Sequence, residues 1–207
     1  AGTYPRVVAE FDFRLAPRGN GRANGLGFAL LNTASFGTGA APAFSEEPSL
    51  AGSLGIGFDI YRNVGEPGNN HLSVHFDGAK LADFPLDPVD LDLADGAFHH
   101  ATISADFSTD GKVVATDGIV SVEIDAILPI SGFLVPGMAR YEGRVAFGAR
   151  TGLEMADHDL DNIEVQFLSG ARLNSDVNGS GVLDLSDAVY TLNFLFLGGP
   201  KPVPILE

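Results

Sequence analysis

Short segments in which apolar and polar residues alternate constrain the fold of this 207-residue chain most strongly. Alternation places successive side chains on opposite faces of a strand, so each segment predicts a strand with one buried face. Glycine and proline are frequent between the segments, and Asp77-Gly78 is typical of a hairpin turn. The segments with this pattern are 7–15, 72–76, 101–107, 119–125, 144–149 and 160–167. Because no helical period occurs before residue 184, we predict an all-β fold, a β-sandwich.

Charge and composition exclude several functions. The chain has 27 acidic and 12 basic residues, and its net charge of −15 disfavours nucleic acid and anionic membranes while it attracts divalent cations. The absence of cysteine excludes disulfides and thiolate metal sites. No apolar run is long enough to predict membrane insertion. The chain begins at Ala1, as a chain does after signal-peptide removal, so we expect a secreted or cell-surface protein.

Residues 176–187 space oxygen-bearing side chains as a twelve-residue calcium loop does. Gly181 occupies the sixth position, where the loop turns sharply, and the seventh residue would offer only its backbone carbonyl. The alternative is a turn rich in Asn, Asp, Gly and Ser that binds nothing. The predicted calcium ligands are Asp176, Asn178, Ser180, Val182, Asp184 and Asp187.

Asp at the twelfth position, followed by an apolar helix, resembles a dockerin type I-like, EF-hand-like repeat, in particular those of planctomycete extracellular proteins. A dockerin has two repeats and this chain has one, so its helix leaves apolar side chains that the sandwich or another chain must cover. The resemblance implies a cohesin-like partner, or further copies of this chain in a homo-oligomer or polymer. The residues expected to contact a partner are Val189, Leu192, Leu195, Phe196 and Leu197.

The segments 23–30, 55–63, 66–71 and 147–152 resemble the concanavalin-like, L-type lectin family. This resemblance implies a jelly-roll sandwich over residues 1–168, followed by a linker at 169–173 and the calcium loop–helix module at 174–207.

In legume-type lectins, a strand that reads Glu-x-Asp-x-Tyr-x-Asn, followed by an Asp and a His, holds calcium beside a transition metal. The resemblance implies a calcium site formed by Asp59, the Tyr61 carbonyl, Asn63 and Glu66, with His71 at the position of the transition-metal ligand. The first Glu of the motif is replaced by Gly57, and we therefore expect no transition-metal site. The alternative is a polar strand end against which His71 packs.

The sequence departs from the sugar-binding motif of lectins and from the catalytic motif of glucanases. The lectin family places an Asp in an Ala-Asp-Gly sequence that accepts hydrogen bonds from a sugar, whereas this chain has Asn24, a weaker acceptor. Asn24 and Asn63 are the candidate carbohydrate-binding residues. Glucanases of similar fold need two Glu around an Asp on one strand, and the sequences at 10–15 and 123–128 lack the second Glu. We therefore expect that this protein is not an enzyme.

Two functions remain open at this stage. The first is a non-catalytic extracellular calcium-binding module that assembles with itself or with a cohesin-like partner. The alternative is a secreted, calcium-dependent carbohydrate-binding lectin, whose pocket the calcium sites would shape.

Overall fold

The described part of the computed structural model consists of residues 2–19, 21–107, 117–168, 177 and 185–200. It contains two five-stranded antiparallel sheets and confirms the predicted all-β sandwich. The first sheet has the order β10-β1-β6-β7-β8, and the second has the order β5-β4-β3-β2-β9. The strands are β1 (Arg6–Arg18), β2 (Gly25–Asn32), β3 (Leu54–Asp59), β4 (His71–Phe76), β5 (Ala79–Pro85), β6 (His99–Asp106), β7 (Gly118–Ile124), β8 (Ile127–Val135), β9 (Gly143–Arg150) and β10 (Met155–Leu168).

The predicted alternating segments overlap six of these strands, and their apolar positions face the space between the sheets. Phe11 and Phe13 of β1 are completely buried there, as is Phe58 of β3. The ring of Phe11 lies edge-on to that of Phe147 at 4.9 Å between centroids. Burial of each large apolar side chain contributes about 1.5–3 kcal/mol, so this aromatic core holds the two sheets together.

The predicted turn at Asp77-Gly78 joins β4 to β5. Both residues have positive φ, 49° and 81°, which the two-residue hairpin turn of this type requires. Strands β5 and β8 have no clear alternation in sequence. Both lie at the edge of a sheet, where one side of the strand has no neighbour and burial is partial.

A row of small residues crosses the second sheet in register, from Gly148 in β9 through Gly27 and Gly57 to Ser73 in β4. These residues face away from the core, because their neighbours in each strand point inward. Residues 44–48, which we call the strap, cross the sheet on this row. A Cβ at Gly57 would lie 2.4 Å from the Glu46 carbonyl oxygen, too close for any side chain. The missing side chains therefore let the strap lie against the sheet backbone.

Two helices are described, α1 (Thr33–Phe36) and α2 (Leu185–Leu197). Within the described ranges, no helix is long and apolar enough to cross a membrane.

Candidate metal centre and adjoining pocket

Four side chains able to bind a metal converge on the outer face of the second sheet. Asp59 ends β3, His71 begins β4 and pairs with it in register, and Glu66 lies in the connection between them. Glu47 reaches the same place from the strap. One potential ligand atom from each residue lies within 4.8 Å of all the others. Three carboxylates and an imidazole therefore surround one point.

The side chains of this cluster have unsatisfied polar atoms. Asp59 and His71 are fully buried. The Tyr61 backbone N–H donates to Asp59 Oδ1 at 2.7 Å, but Asp59 Oδ2, Glu47 Oε1 and both ring nitrogens of His71 have no hydrogen-bond partner among the described residues. An unpartnered buried polar group costs about 1–3 kcal/mol. A bound cation would satisfy several of these atoms at once, so the residues present fit a metal ion.

The electrostatics of the cluster lead to the same conclusion. The pKa of Asp59 is raised to about 8, chiefly by burial; the Tyr61 N–H opposes this shift, and the nearby carboxylates of Glu66, Glu46 and Glu47 contribute to it. Burial also lowers the pKa of His71, which favours the neutral imidazole that metals bind. A divalent cation would reverse the unfavourable ionisation of Asp59, because it supplies the missing opposite charge.

The connection between β3 and β4 is held by contacts between Asn63 and Glu66. The Asn63 backbone N–H donates to Glu66 Oε2, and its side-chain amide donates to Glu66 Oε1 at 3.2 Å. Both oxygens of the carboxylate are thus oriented from within the same loop. The structure brings the predicted residues Asp59, Asn63, Glu66 and His71 into one region, as the lectin motif implies.

Glu47 was not predicted from the sequence. It brings a carboxylate to the cluster from the strap, which occupies the space that a side chain at Gly57 would need. Its second carboxylate oxygen lies 3.6 Å from Lys80 Nζ and 3.5 Å from His75 Nε2. Lys80 Nζ also contacts Asp83 at 3.1 Å. The positive charge of Lys80 therefore offsets part of the negative charge next to the cluster.

A cavity of about 310 Å³ adjoins the metal centre. Asn24 and Asn63, the two predicted carbohydrate-binding residues, both line it, although Asn24 is only 6% exposed. Arg150 also lines the cavity and donates from Nη2 to Glu46 Oε1 at 2.5 Å, which ties the cavity wall to the strap. The complete lining is Asn24, Tyr61, Asn63, Arg150, Gly152, Leu153 and Glu154.

The predicted C-terminal calcium site lies mostly outside the described residues. Asp187 is described: it is nearly buried and belongs to the first turn of α2. The other five ligands, Asp176, Asn178, Ser180, Val182 and Asp184, fall in undescribed segments, so that site stays a prediction. In α2, the predicted contact residues are all exposed, from 48% at Val189 to 79% at Leu197. The predicted domain boundaries also stay a prediction.

The aspartates of the two incomplete glucanase patterns, Asp12 and Asp125, have local partners. Asp12 accepts hydrogen bonds from His100 and from Asn162. Asp125 contacts His99 Nδ1 at 2.5 Å. Both aspartates therefore orient neighbouring side chains, and neither lines the cavity beside the metal centre.

Comparison with known proteins identifies the fold. No protein-family model matches the chain, and no curated protein matches its sequence. Solved structures do match. Lectin I-B4 from Griffonia simplicifolia, in its metal-free form, has 16% identity and a TM-score of 0.50 over 78% of this chain and 71% of that chain. The basic winged bean lectin with Tn-antigen has 18% identity and a TM-score of 0.51 over 77% of this chain and 70% of that chain.

At these identities the likeness shows the fold alone. The chain has the concanavalin-like β-sandwich of legume-type lectins. These comparisons give no counterpart of the dockerin-like segment, which stays a prediction.

Proposed function

We propose that this protein is a carbohydrate-binding lectin whose sugar pocket is organised by a divalent cation. One observation carries the proposal: the connection from β3 to β4 contributes to both sites. Glu66 of this connection belongs to the metal cluster together with Asp59 at the end of β3, and Tyr61 and Asn63 of the connection line the adjoining cavity. A cation bound at one side of this loop would fix the side chains on the other side.

The cavity has the chemistry that a sugar requires. The amides of Asn24 and Asn63 offer both donors and acceptors to hydroxyl groups, and the Arg150 guanidinium adds donors. Tyr61 is 40% exposed, so its ring provides a surface on which a pyranose can pack. A volume of about 310 Å³ falls within the range of small-molecule sites.

The proposed cation is calcium, bound by the carboxylates of Asp59, Glu66 and Glu47, with the Tyr61 carbonyl and Asn63 as further oxygen ligands. These hard oxygens suit calcium or manganese, and the imidazole of His71 suits a transition metal. Glu47 places a further carboxylate near His71, so the cluster also offers donors to a transition metal, and the expected absence of a transition-metal site stays a prediction. The cation would supply positive charge and a fixed loop geometry.

Glycan-array binding with and without chelator tests this proposal. We expect binding that is lost in chelator and restored by calcium. Asn24→Ala and Asn63→Ala should each abolish detectable binding, since each removes a polar group from the cavity. Gln166→Ala is the matched control, because it removes an exposed amide from the edge of the other sheet. Binding that survives both cavity substitutions, or an array without any binding, would contradict the proposal.

We further propose that the protein is extracellular and non-catalytic. The acidic composition and the calcium chemistry of both candidate sites support this location, because extracellular calcium is abundant enough to fill sites of modest affinity.

The second candidate function is calcium-dependent assembly through α2. The observation in its favour is the apolar exposure of this helix, where Leu192 is 54% exposed, Leu195 61% and Phe196 75%. Burying such side chains against another copy or a cohesin-like domain would contribute about 1.5–3 kcal/mol each. Light scattering at several protein concentrations tests this function. A strict monomer in calcium that recovers no partner in pull-downs would exclude it.

A further inference from the structure

A second cavity, of about 350 Å³, shares Tyr61 with the proposed sugar pocket. Tyr61 lines both cavities, so a ligand of two or more sugar units could continue from one to the other past its exposed ring. The second cavity differs from the first in its charge. Its lining is Arg22, Ile60, Tyr61, Arg62 and Asn69.

Arg62 differs from most basic side chains of this protein because it has no acidic partner among the described residues. Most basic side chains in the described part of the chain are paired with acids, as Arg14 is with Asp159 and Arg18 with Asp157. Arg62 is exposed and has neither an ion pair nor a hydrogen bond among the described residues. In a chain of net charge −15, it presents a full positive charge beside a cavity.

Arg22 gives this cavity a rigid wall. Its two terminal nitrogens bind the two oxygens of Asp92 at 2.8 and 2.6 Å, and Nη1 also donates to the Asn69 carbonyl at 3.3 Å. The ion pair is neutral as a whole, so the net positive charge of the cavity comes from Arg62. The first cavity, by contrast, contains Glu154, and its Arg150 is neutralised by Glu46.

We propose that the second cavity is a subsite for the acidic group of a glycan, a carboxylate or a sulfate on the sugar that follows the one in the Asn24 pocket. This inference rests on the proposed function and names its substrate class, an acidic glycan. Arg62 is the specificity-determining residue: its planar guanidinium can donate two parallel hydrogen bonds to a carboxylate or sulfate. Glu154 repels such a group from the first cavity, so the acidic sugar is directed to the Arg62 side.

The test uses the intact protein on an array in which each neutral oligosaccharide is accompanied by its uronate and its sulfated counterpart. The two acidic series distinguish carboxylate from sulfate as the recognised group. We expect tighter binding of acidic members, which weakens with added salt, whereas binding of neutral members is insensitive to salt. Arg62→Gln should weaken binding of acidic members on the order of tenfold and leave neutral members unchanged.

Arg140→Gln is the matched control. Arg140 is also exposed and without an ion pair among the described residues, and it precedes β9 at the end of the sheet opposite the cavity. Because both substitutions remove one exposed charge, only a local effect distinguishes them. A preference for acidic members that survives Arg62→Gln, or binding confined to neutral members, would overturn the inference while the lectin function stands. An array without any binding would overturn both.

Discussion

Replacement of Asp59 by Asn should stabilise the metal-free protein at neutral pH. The pKa of Asp59 is about 8 in the folded state, against 3.8 for an ordinary Asp, chiefly because the carboxyl group is buried. The folded state therefore retains its proton after the unfolded chain has lost it. The metal-free fold has its full stability below about pH 4, where Asp59 is protonated in both states. Its free energy of unfolding falls as pH rises towards 8, because the unfolded chain loses this proton first.

The size of this effect follows from the same pKa values. Each pKa unit corresponds to about 1.4 kcal/mol, and roughly three units separate 3.8 from pH 7. Removing the ionisable group should thus stabilise the metal-free fold by at most about 4 kcal/mol, or roughly 10 °C in Tm for a chain of this size. The amide that replaces Oδ2 can donate to the carboxylates beside it, whereas Oδ2 has no hydrogen-bond partner among the described residues.

Thermal unfolding followed by circular dichroism checks this prediction in chelator and in calcium. In chelator at pH 7 the variant should have the higher Tm, and the difference should disappear near pH 4. In cation at a hundredfold excess over Kd the difference should narrow, because the filled site stabilises the wild type by about 2.7 kcal/mol; the order should reverse only above roughly a thousandfold excess, where this stabilisation reaches about 4.1 kcal/mol. Asp90→Asn, at an exposed carboxylate, is the control. A variant that is no more stable than the wild type in chelator would refute the reasoning.

Two further predictions concern the strap and the C-terminal loop. Gly57→Ala should destabilise the fold by about 1–3 kcal/mol and weaken cation binding, since its Cβ would meet the Glu46 carbonyl; Gly68→Ala, with open space around it, should have little effect in the same melts and titrations. Asp176→Ala combined with Asp187→Ala should lower the number of bound calcium ions per chain, measured by calorimetric titration of the intact protein, and an unchanged number would rule out the loop assignment.

The sandwich could be predicted from the sequence because strand periodicity is a local property. Each alternating segment, such as that around Phe11 and Phe13, shows its buried face without reference to the rest of the chain. The edge strand β8 was not found, because its residues show no regular alternation of apolar and polar side chains and only two of its nine residues are buried. The segment from Asp59 to His71 could also be recognised, because its ligands are close in sequence and follow one strand into the next.

Glu47 could not be predicted in this way. It belongs to no strand, and nothing in its own segment shows that the strap crosses the sheet above Gly57. The available signal was a pair of observations: glycines at matched positions in neighbouring strands, and two adjacent acids, Glu46 and Glu47, in the loop before β3. Only the register of the strands connects them. The unpaired charge of Arg62 likewise depends on which acids the fold places near each basic residue.

The contact between Arg150 and Glu46 has a thermodynamic consequence. Arg150 stands in the wall of the proposed sugar pocket, Glu46 is its partner on the strap, and the next residue along the strap is the metal ligand Glu47. If sugar binding changes the position of Arg150, it changes cation affinity by some factor, and cation binding must then change sugar affinity by the same factor. A titration of either ligand in the presence of the other would therefore measure a single coupling constant, carried by two consecutive glutamates.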